Sequence, residues 1–78
     1  MTAQLDLTPD ATNILTHEFF EARCLILELG AALDRVERAS DNKAALQDSR
    51  HKQLLEGIRL LLESGTGRAE NIQNLFSL

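Results

Sequence analysis

The sequence predicts an all-α chain: a long helical hairpin plus a short C-terminal helix, pairing into a homodimeric helical bundle. Three observations predict it. Apolar residues recur at alternating spacings of four and three through Leu15, Phe19, Ala22, Ile26, Leu29, Leu33 and Val36, the pattern of a helix that buries one stripe. The one proline, Pro9, stands ahead of that run and leaves it unbroken. The chain has 78 residues and one cysteine, so it cannot staple itself with a disulfide. At this size a single core supplies only about 3–5 kcal/mol, and association is the remaining way to add to it.

The elements follow in order. Residues 1–7 carry no period and read as a flexible N-terminus, although Leu5 and Leu7 can fold back. Thr8 can cap a helix, Pro9 suits its first position, and Asp10 faces the positive end of the dipole. Helix 1 is expected over residues 9–39. Ser40, Asp41 and Asn42 prefer turns and should end it. Two starts compete for helix 2. Asp41 can cap a helix beginning at Asn42, or residues 40–47 are a connection and Asp48 is the cap. The second is favoured, because Gln47 and Asp48 fit an apolar face badly.

Helix 2 is therefore expected over residues 48–64, with Leu54, Leu55, Ile58, Leu61 and Leu62 as its buried stripe. Ser64, Gly65, Thr66 and Gly67 make a clear break, with Gly65 suited to a left-handed cap. Helix 3 is expected over residues 68–76, docking through Ala69, Ile72, Leu75 and Phe76. A helix so short is unstable alone. The whole is read as one small domain.

Composition excludes several function classes. The formal net charge is -4, which opposes a general nucleic-acid binder. Trp and Tyr are absent, so base-stacking platforms are not expected. No apolar run approaches the ~18 residues of a membrane span, and the N-terminus lacks the blocks of an export signal. A lone cysteine then fits a reducing cytoplasm.

Candidate chemistry is thin. His17 and Glu21 are four apart on one side of helix 1, and Asp48 and His51 are three apart on helix 2. Such pairs can ligate a metal, but in an antiparallel hairpin they lie toward opposite ends, so no metal site is expected. His51 extends the helix 2 stripe and is read as a packing residue with one ring nitrogen on a backbone carbonyl. Cys24 lies beside the main stripe, two turns from His17, and is read as an inert packing residue. No cofactor motif is present. Gly30 and Gly57 fall inside helices, where each costs roughly 1 kcal/mol against Ala. Close helix approach and mere tolerance at an exposed face explain them equally well.

The sequence thus leans against an enzyme. It favours a small cytoplasmic interaction or regulatory module whose partner is a second copy, or another protein, with no nucleic acid and no membrane. The candidate interface is Phe19, Phe20, Leu25, Ile26, Leu27, Leu29 and Leu33. The alternative is a homodimer that binds a small anionic molecule in a pocket between subunits. It rests on six arginines against two lysines.

Overall fold

The computed structural model describes residues 10–77. Among these the secondary structure is helical, with no strand: α1 (Ala11–Arg38), α2 (Lys43–Gln47), α3 (Ser49–Leu61) and α4 (Arg68–Phe76). The expected roles of Leu5, Leu7, Thr8 and Pro9 lie outside the described residues. The chain divides into two units, one ending at Asp34 and one starting at Arg35.

Asp10 takes the capping role expected of Thr8. Its Oδ1 accepts from the Asn13 backbone N–H at 2.8 Å, and its carbonyl accepts from Ile14 at 3.0 Å. A short carboxylate one residue before Ala11 satisfies a free N–H and complements the dipole at once. The far end of α1 carries Arg35 and Arg38, which suit the negative pole.

The expected connection over residues 40–47 is corrected. Residues Lys43–Gln47 form the separate short helix α2, and Asp48 then breaks the chain with an extended ψ of 138°. Ala44, Ala45 and Leu46 are good helix formers, which is why the turn forms. Asp48 stops it because its side chain serves the next helix. The Asp48 carboxylate accepts from the Arg50 backbone N–H at 2.7 Å, capping α3. The two competing readings of this region each describe one part of it.

Helix α3 ends at Leu61, short of the expected residue 64, and Leu62 follows as its cap. Gly65 and Gly67 both take φ of +92°, the left-handed region that glycine occupies without steric cost. The chain so reversed brings α4 back onto α3. Gly57 is the contact point: a Cβ placed there would lie 3.6 Å from the Phe76 ring and 3.8 Å from Leu75. Gly57 is buried, whereas Gly30 has open space around it. Close approach therefore explains the first glycine and mere tolerance the second.

The buried stripe expected on α3 is also corrected. Ile58 and Leu60 are half-buried, while Leu54, Leu55, Leu61 and Leu62 are exposed. On α4, Phe76 and Leu75 meet α3 at Gly57; Ile72 and Leu75 are half-buried, and Phe76 is still 44% exposed. Among the described residues no apolar side chain is fully buried.

Candidate functional site

The chemistry-bearing side chains are each engaged locally. The His17 ring Nδ1 lies 2.7 Å from the Asn13 carbonyl oxygen, one turn back on its own helix. His51 lies against the Glu37 carboxylate, Nε2 to Oε2 at 3.3 Å, with its side chain 12% exposed. The backbone-carbonyl bond expected of His51 is thus made by His17. The chain near residues 37–42 bends so that Asn42 Nδ2 donates to the Glu37 carbonyl at 2.6 Å. That bend brings the Glu37 carboxylate within reach of α3. Only the turn geometry, which spacing does not encode, could have shown this.

The acidic and basic groups pair in the same local way. Arg50 grips Asp48 through Nε and Nη2 at 3.0 and 2.9 Å and holds its carboxyl well below the usual range, at about 2. Arg59 forks onto Glu56 and reaches Glu63 at 3.3 Å, lowering the Glu56 pKa through the hydrogen bonds. Arg68 donates from Nε to the Leu61 carbonyl at 3.1 Å. These are exposed pairs that fix helix ends and contribute little to stability. Among the described residues, no group of three or more His, Cys, Asp or Glu is disposed to hold a metal. Cys24 is a free thiol, half-buried on α1.

What α1 presents instead is apolar surface. Leu15, Phe19 and Leu25 are 62%, 58% and 57% exposed, and Phe20 and Ile26 reach 70%. Leu27 is also exposed, while Leu29 and Leu33 are half-buried. At about 100° per residue these side chains fall on two strips. Leu15, Phe19, Ala22, Leu25, Ile26, Leu29 and Leu33 form the broad one. Phe20, Cys24, Leu27 and Ala31 form a narrow one, separated from it by Arg23 and Asp34 on one flank. The candidate interface residues are thus divided between two sides of the helix.

A shallow open groove lies on α1, lined by Phe19, Ala22, Arg23, Ile26 and Leu27. Ala22 is its floor, because its side chain is the smallest of the five. In the sequence Arg23 reads as an outer-face residue of helix 1 and Ala22 as one stripe position among seven. Their spacing, at i+4 and i+3 from Phe19, was the available signal.

No family model, no curated protein and no solved structure matches this chain in the comparisons made. Among the described residues no helix is long and apolar enough to cross a membrane.

Proposed function

We propose that the chain is a non-enzymatic helical association module that acts through the exposed apolar surface of α1. The supporting observation is the exposure of Phe19, Phe20, Leu25, Ile26 and Leu27 on one helix. Apolar surface exposed on this scale marks interaction sites on small proteins. The hydrogen bonds of His17 and His51 and the pairing of the α3 charges leave their side chains in structural roles. The reading places the module in a reducing compartment, the cytoplasm, on the strength of the unpaired Cys24. The anion-binding alternative has no observation in its favour. Arg50, Arg59 and Arg68 are bonded within the chain, and Arg23 is the one arginine on the α1 groove.

Photo-crosslinking in the producing cell tests the proposal. Phe19 is replaced by benzoylphenylalanine, which is close to it in shape, and Lys52 on the exposed side of α3 by the same group. The expected result is a discrete covalent adduct from position 19 and none from position 52. No adduct from position 19 would overturn the assignment of this face.

A further inference from the structure

We draw no further inference here: the strongest candidate, the exposed apolar face of α1 around Phe19, Ala22 and Ile26, belongs to the association surface already described, and nothing in the structure shows what covers it.

Discussion

A buried glycine inside a helix is commonly taken as irreplaceable, and Gly57 offers a direct test of that habit. Its neighbours across the α3–α4 contact are the Phe76 ring at 3.6 Å and Leu75 at 3.8 Å from where a Cβ would stand. Those are ordinary van der Waals separations, so Gly57→Ala inserts a methyl into contact without displacing anything. The helix gains about 0.8–1 kcal/mol from the loss of glycine's backbone freedom. Covering the new methyl with Phe76 and Leu75 adds a few tenths more, on the scale of ~0.8 kcal/mol for a wholly buried methylene. Gly57→Ala should therefore stabilise the chain by about 1–1.5 kcal/mol. Gly30→Ala, with open space around its Cβ, should gain the backbone part alone. The assay is urea unfolding followed by far-ultraviolet circular dichroism, at one fixed protein concentration so that association does not enter the comparison. A Gly57→Ala variant less stable than the parent, beside a Gly30→Ala variant that gains, would refute the reasoning. It would mean that α4 sits closer to α3 than these distances allow.

Three further outcomes follow from the same geometry. Phe76 is 44% exposed, so Phe76→Ala should cost about 2 kcal/mol, roughly half the 3–5 kcal/mol of a fully buried ring, read from the same unfolding curves. The Asp48 carboxyl is held at about 2 by Arg50, below its unfolded value near 4. Its contribution is complete above pH 4 and is lost as pH falls toward 2, so an acid titration of helicity should show a loss in that window that Asp48→Ala lacks. Cys24 is half-buried and free, so it should label with a thiol reagent more slowly than the urea-unfolded chain, and Cys24→Ser should keep the same helical content.

Much of the helical order is legible in the residues because the signals are local. Four-and-three apolar spacing, the glycine pair at 65 and 67, and Asp48 as a cap each act over a few residues. The ends of α1 and α3 shift by a few positions because caps compete: Asp10 and Thr8 are both good cap residues, and nothing in spacing ranks them. Neither reading of residues 40–48 makes α2 a separate helix, because it is one turn long and is ended by Asp48, a residue read for its role in the following helix. Burial is least legible. The repeated leucines of α3 suggest one inward stripe, yet α4 meets α3 at Gly57, Ile58 and Leu60 are only half-buried, and Leu61 and Leu62 are exposed. Which face a neighbour covers depends on where the Gly65–Gly67 reversal aims the chain. The groove on α1 is written in the sequence as i, i+3, i+4 and i+7, but it becomes visible as a hole only when the exposure of Phe19 and Ile26 is known.

The absence of any fully buried apolar side chain among the described residues has a consequence for how a cell meters this protein. A lone chain offers its leucines and phenylalanines to chaperones and proteases for as long as it stays lone. Under the proposed association, its lifetime is set by how soon a matching surface arrives. Synthesis at a low rate yields chains that are cleared before they meet, while synthesis above that rate accumulates a protected pool. The steady-state amount would climb more steeply than the rate of synthesis, giving a threshold in abundance from a long helix with nothing to hide behind.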